Sequence, residues 1–184
     1  MSNPRTIQEA LAELKGISLE DYRREAAHKE KIRARGENFR LLPPSQWPQL
    51  KFNWDLTKDS QHYVYDSVSP EDFSRLHPDG LVLGYVDVSE LDAKLCHFNR
   101  RHSLNELWEC GNASKLSYAI AYLEAGLPIT PPLVSVANEG LCLAGGNHRY
   151  TAAKFSGEAR MPIYVESVNG ETVANLVQVS WGAI

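Results

Sequence analysis

The sequence predicts an α+β fold: a small mixed sheet with flanking helices and a helical N-terminal extension. Three observations predict it. Two capped helical patterns with no strand between them fill the chain up to Gly36. Short apolar runs rich in β-branched residues follow at 81–88, 132–136, 141–144 and 161–165. Helical stretches such as 114–125 and 147–155 separate those runs. At 184 residues, 43% hydrophobic and 23% charged, the chain suits one domain with extensions and is neither disordered nor membrane-like.

Thr6-Ile7-Gln8-Glu9 has the form of a capping box and Gly16 sits where a C-cap belongs, so a helix is expected over 7–15. Ser18-Leu19-Glu20-Asp21 opens a second helix, which Gly36 closes. Pro43, Pro44 and Pro48 remove donors and fix φ, so 37–61 reads as a linker wrapping onto the domain, anchored by Trp47, Phe52 and Trp54. The chain accordingly divides into a helical extension and linker, 1–60, and a domain, 61–184.

Residues 62–68 alternate apolar and polar and predict a strand. Ser69-Pro70-Glu71-Asp72 starts a short helix, and His77-Pro78-Asp79-Gly80 is a turn. The run 81–88 predicts a buried strand, and Ser89-Glu90-Leu91-Asp92 the start of another helix. The polar stretch 97–111 is harder to place. Ser114 caps a helix with an apolar stripe of Leu116, Ala119, Ile120 and Leu123, ended by Gly126. Strands 132–136 and 141–144 form a hairpin around Asn138-Glu139-Gly140. A helix from Asn147 stops at Gly157, Met161 begins the last strand, and the tail from Glu171 fits helix or strand equally.

No run reaches the ~18 apolar residues of a spanning helix, and the N-terminus lacks the basic-then-apolar layout of a signal peptide; a cytoplasmic location with no membrane insertion follows. Cys96, Cys110 and Cys142 are odd in number and widely spaced, which argues against a disulfide framework or a zinc site and for buried, reduced thiols; no metal-ligating set is expected. The net charge of −4 is uneven. Residues 1–42 carry nine Lys/Arg against seven Asp/Glu, and the rest carries ten against sixteen. Arg23, Arg24, Lys29, Lys31, Arg33 and Arg35 crowd a helix at 23–35 that suits either a DNA backbone or a solvated face of ion pairs.

The chemically informative stretch is Gly145-Gly146-Asn147-His148-Arg149-Tyr150, where a strand turns at two glycines directly into a helix. The first amides of a helix lack internal partners and carry partial positive charge, a geometry that binds phosphate. His148 and Arg149 fall in the first turn, Arg149 offers a fork of donors, and Asn147 can cap the helix or donate to a ligand. The same residues also suit a tight corner with exposed polar side chains.

Residues 116–166 resemble the central part of the ParB/sulfiredoxin superfamily. The resemblance rests on the order of a helix, the proline-led strand from Pro131 and Pro132, the hairpin, the Gly146–Arg149 corner, a helix with Ala152 and Ala153, and a last strand with Pro162. It implies a ParB/sulfiredoxin-like fold that binds a nucleoside triphosphate such as ATP, with phosphates on Gly145, Gly146, Asn147, His148, Arg149 and Tyr150. It also places Lys115 and Ser117, at the start of the preceding helix, beside those phosphates. Asn147 stands where sulfiredoxins carry their catalytic cysteine, and an amide cannot replace a thiolate, so sulfinic-acid reduction is excluded. No helix-turn-helix domain follows the motif, which argues against chromosome partition.

Some members of that superfamily are nucleotide hydrolases or nucleases, and one branch inhibits fertility, acting against DNA transfer between conjugative plasmids. The resemblance therefore implies an ATPase with DNA nuclease activity; its alternative is a non-catalytic, nucleotide-dependent switch that binds DNA or a protein of a DNA-transfer apparatus. A third possibility on the same fold is a small-molecule kinase. For hydrolysis, Arg149 and the helix terminus neutralise charge, and His148 is either a general acid–base or a plain phosphate contact. Asp87 and Glu90 follow the strand expected to border the site, as Mg²⁺ or water-activating candidates, unless they serve only as turn and helix-start residues. Glu109 and His102 are weaker candidates.

Overall fold

Residues 6–65, 68–109, 112–138 and 140–182 are described by a computed structural model of the chain. The Glu109 side chain, Cys110 and Glu139 of the expected hairpin tip lie outside it. Helices α1 (Ile7–Leu14) and α2 (Leu19–Glu37) start where their caps predict: Thr6 and Glu9 close the capping box in both directions, and the Ser18 hydroxyl accepts from the Asp21 amide. Gly36 does not end α2. It lies buried in the last turn, and a Cβ there would sit 2.9 Å from the Ser117 carbonyl oxygen. This glycine lets α2 close on α6 (Ala113–Glu124), where Ile32, Phe39, Leu107, Leu116 and Ile120 share one core cluster.

The prolines hold the next segment off helix apart from a 3-10 turn at Pro44–Gln46. Its aromatics dock as anchors. Trp47 and Trp108 meet edge to face at 6.3 Å, and both indole N–H groups donate to the Leu42 carbonyl. Phe52 stacks on Trp54, which bridges to Ile129. The expected division at 60/61 falls inside a 3-10 helix, Lys58–Val64.

That helix replaces the strand expected over 62–68; residues 66–67 lie outside the description. Side-chain hydrogen bonds outcompete a ladder here. The Ser60 hydroxyl donates to the Asp55 and Thr57 carbonyls, and the buried Gln61 amide pairs with Leu81 in both directions. Residues 58–65 thus form a curved strap that buries Val64 and exposes Tyr63.

Five strands make one mixed sheet: β1 (Val82–Asp87), β2 (Leu133–Ala137), β3 (Gly140–Gly145), β4 (Arg160–Val165) and β5 (Ser180–Trp181), in the order β3-β2-β4-β1-β5. β2 runs parallel to β4, and the other pairs are antiparallel. β4 sits at the centre and is buried from Met161 to Val165. Period-two alternation sends Val86, Val134, Leu143, Ile163 and Val165 to one face, where they meet α4 (Val88–Lys94), α7 (Asn147–Ser156) and α8 (Gly170–Leu176). Leu83, Leu133 and Tyr164 turn to the other face, against the strap and Phe73 of α3 (Pro70–Leu76). Both faces are covered, as the apolar runs require. The ambiguous tail resolves into α8 and the short β5, and the polar stretch after Cys96 contains α5 (Leu104–Glu109). Among the described residues no helix is long and apolar enough to cross a membrane.

Candidate functional site

β3 ends at Gly145, Gly146 takes φ +83°, and α7 begins at once. Both glycines are dictated by the protein's own packing. A Cβ on Gly145 would lie 2.0 Å from the Val64 carbonyl oxygen, and one on Gly146 would lie 2.8 Å from Pro132 Cα in addition to its left-handed strain. The strap, rather than a ligand, makes the close approach at Gly145. Gly146 is the N-cap of α7 and makes no side-chain cap hydrogen bond to its first turn. This first turn lines a cleft of about 1150 Å³. Its other walls are Tyr63 and Tyr65 of the strap, residues 128–130, Ser114, Lys115, Tyr118 and Tyr122 of α6, and Arg33 and Glu37 of α2.

Of the residues expected to touch phosphate, Gly145, Gly146, Asn147, His148, Arg149 and Lys115 line this cleft. Arg149, however, is a clamp. Its guanidinium donates to the Thr130 carbonyl from one terminal nitrogen and to the Tyr63 carbonyl, at 3.2 Å, from the other. It thereby joins α7 to the strap and to the segment before β2. Asn147 is likewise held: its Oδ1 accepts from Asn99 Nδ2 at 2.8 Å, while Asn99 Oδ1 accepts from the Leu143 amide.

Tyr150 is not a ligand contact. It is fully buried, and its hydroxyl donates to Asp92 Oδ1, which also receives Lys154 Nζ at 2.8 Å. Burial, then the Asp92 carboxylate, pushes the phenol well above its ordinary range. For Asp92 burial acts upward, but hydrogen bonds from Lys154 and Tyr150 win and hold it below its ordinary value. Ser117 does not reach the cleft either: it is buried at the α2 contact and donates to the Ser114 carbonyl.

The structure does not bring Asp87 and Glu90 to the corner. Leu83 is level with Tyr164, Leu133 and Gly145 across three strand spacings. Asp87 lies four residues further along β1, which places it about 20 Å from Gly145. Asp87 is the N-cap of α4, accepting from the Ser89 hydroxyl and from the Ser89 and Glu90 amides, and the Ser89 hydroxyl foremost lowers its pKa. Glu90 accepts from the Gln178 amide and so ties α4 to the tail. His102 lies at the start of α5, where its amide donates to Glu106. On α2, Arg24 pairs with Asp21, Arg33 with Glu30 and Arg35 with Glu124, all on the surface.

Asp55 and the tyrosines line the cleft without having been singled out in the sequence. The Asp55 carboxylate accepts from the Thr57 hydroxyl and amide, which hold it below its ordinary value. Tyr118 and Tyr122 pack at 5.9 Å, and burial raises both phenols. Their signal was present: an i, i+4 aromatic pair beside, not on, the apolar stripe of α6. Among the described residues, Arg33, Lys115 and Arg149 line the cleft together with the carboxylates of Glu37 and Asp55. Among the described residues no group of three or more His, Cys, Asp or Glu side chains is placed to hold a metal ion. Compared with family models, curated proteins and solved structures, the chain matches none of them.

Proposed function

We propose that the cleft binds a nucleoside polyphosphate such as ATP, in a domain of the ParB/sulfiredoxin type acting as a nucleotide-dependent switch. The observation that carries this reading is the first turn of α7, which opens behind a glycine cap onto a cleft that also holds Lys115 and a tyrosine pair. Phosphates rest on the amides of 147–149, with Lys115 and His148 beside them, and the base stacks on the tyrosine side. A helix terminus contributes up to ~2 kcal/mol toward an anion and a stacked base ~1–3 kcal/mol. Arg149 serves the strap in this reading, and any Mg²⁺ enters with the phosphates, the Asp55 carboxylate on the cleft wall being a candidate to meet it.

Hydrolysis of ATP, with cleavage of DNA held along α2, is the second reading; His148 and Asp55 on the walls of one cleft favour it. Calorimetry with ATP, CTP and ADP, with and without Mg²⁺, tests the first. Lys115→Met should weaken binding about tenfold, an effect of about 1.4 kcal/mol. An absence of heat for every nucleoside triphosphate at millimolar concentration sinks it. Release of phosphate and nicking of linear DNA, both abolished by His148→Ala with binding retained, support the second.

A further inference from the structure

The chain holds two thiols that its topology places side by side, although 46 positions separate Cys96 from Cys142 in the sequence. After α4 the backbone runs briefly parallel to the outer edge of β3, where Leu95 bridges to Leu141 and the Cys96 amide donates to the Leu141 carbonyl at 2.7 Å. Leu95 and Leu141 both enter the same core cluster, so they point to one face. The next pair along, Cys96 and Cys142, therefore turns together to the other face. Neighbouring strands lie about 4.8 Å apart, within the ~4.4–6.8 Å between Cα atoms that a disulfide spans. The Cys142 thiol is pushed up by burial and next by the charge of Cys96, so the two groups feel one another. Cys96 is buried, whereas Cys142 is partly open.

We propose that Cys96 and Cys142 are a redox pair that closes an intrachain disulfide, using a low-molecular-weight disulfide as the oxidant. The open Cys142 thiolate attacks one sulfur of the oxidant and expels the first small thiol, which takes up a proton. The Cys96 thiolate then attacks Cys142 Sγ in the mixed disulfide and expels the second small thiol. Two protein thiols are oxidised, and one disulfide is reduced to two thiols. The new bond fastens the turn at 96–99 to β3. That turn carries Asn99, whose amide holds both the Leu143 amide and Asn147 Oδ1 at the start of α7. Oxidation thus props the corner of the cleft, whatever the cleft binds.

The test is to treat the folded full-length chain with oxidised glutathione, block the remaining thiols, and map tryptic peptides by mass. Cleavage after Lys94, Arg100, Arg101, Lys115 and Arg149 leaves Cys96, Cys110 and Cys142 on separate peptides, 95–100, 102–115 and 116–149. The expected product joins 95–100 to 116–149 with the loss of two hydrogens. Cys96→Ser should leave glutathione trapped on 116–149, and Cys142→Ser should leave the buried Cys96 unmodified. A wild-type chain that keeps the glutathione adduct, does not react, or links Cys110 instead overturns the pairing; this result needs no variant to fold. Hydrogen exchange of the Leu143 region should slow about tenfold on oxidation, and unchanged exchange in the cross-linked protein refutes the propping.

Discussion

Gly145→Ala separates two reasons for a glycine at the corner. If the residue is there to admit a phosphate, alanine weakens ligand binding and leaves the fold alone. If it is there to admit the strap, alanine unseats the strap. The geometry favours the second by a wide margin, since the new methyl would stand 2.0 Å from the Val64 carbonyl oxygen and 3.0 Å from its carbon. Backbone cannot rotate away as a side-chain tip can, so strap and corner must part by more than 1 Å or so to reach ordinary contact. Overpacking of this kind costs ~1–3 kcal/mol, and a clash with buried backbone belongs at the upper end. For a chain of this size ~3 kcal/mol lowers Tm by roughly 6–12 °C. Thermal unfolding followed by circular dichroism measures the shift, and hydrogen exchange at 58–65 should rise in the same variant. A Tm within about 2 °C of wild type, with strap exchange unaltered, would refute the argument.

Further consequences concern the fold and its acid limb. Tyr150→Phe removes the buried donor to Asp92 and should cost ~1.5–3 kcal/mol in a urea titration, the range for hydrogen bonds to charged groups. Asp92 sits below its ordinary value of 3.8, so its contribution is full above that pH and fades as pH falls through the lower folded value. Asp92→Asn should therefore be less stable at neutral pH and lose less stability on acidification; equal slopes would exclude the linkage. Gly36→Ala drives a methyl to 2.9 Å from the Ser117 carbonyl and should destabilise by ~1–3 kcal/mol in the same titration. Leu41 is exposed at φ +63°, so Leu41→Gly relieves ~1–2 kcal/mol of left-handed strain against ~0.5–1 kcal/mol of chain entropy and should raise Tm slightly.

Local chemistry was legible before any coordinates. The Thr6–Glu9 box, the Ser18 and Ser69 caps, the hairpin and the glycine corner are all written within a few neighbouring residues, and each is where the pattern puts it. What the pattern could not carry is any role set by a distant partner. The strap looks like a strand until Gln61 finds Leu81, twenty residues on. Arg149 looks like a phosphate fork until Tyr63 and Thr130 bring their carbonyls to it. Gly36 resembles a helix stop, but α6 needs it smooth, and the same contact buries Ser117. Asp87 failed for a topological reason: β2 and β4 stand between β1 and β3, so the end of β1 lies three strand spacings to the side of the corner and beyond its level.

The margins of the sheet bear on how the protein behaves in a crowd. An unguarded outer strand can recruit foreign chains and seed fibrous aggregates. Along β3 that invitation is withdrawn, because Cys96 and Asn99 already take up backbone groups of Leu141 and Leu143. At the opposite margin β5 is two residues long, too brief a template to zip onto a stranger. Asn99→Ala would reopen part of the β3 margin, and loss of colloidal stability should precede any loss of helix content.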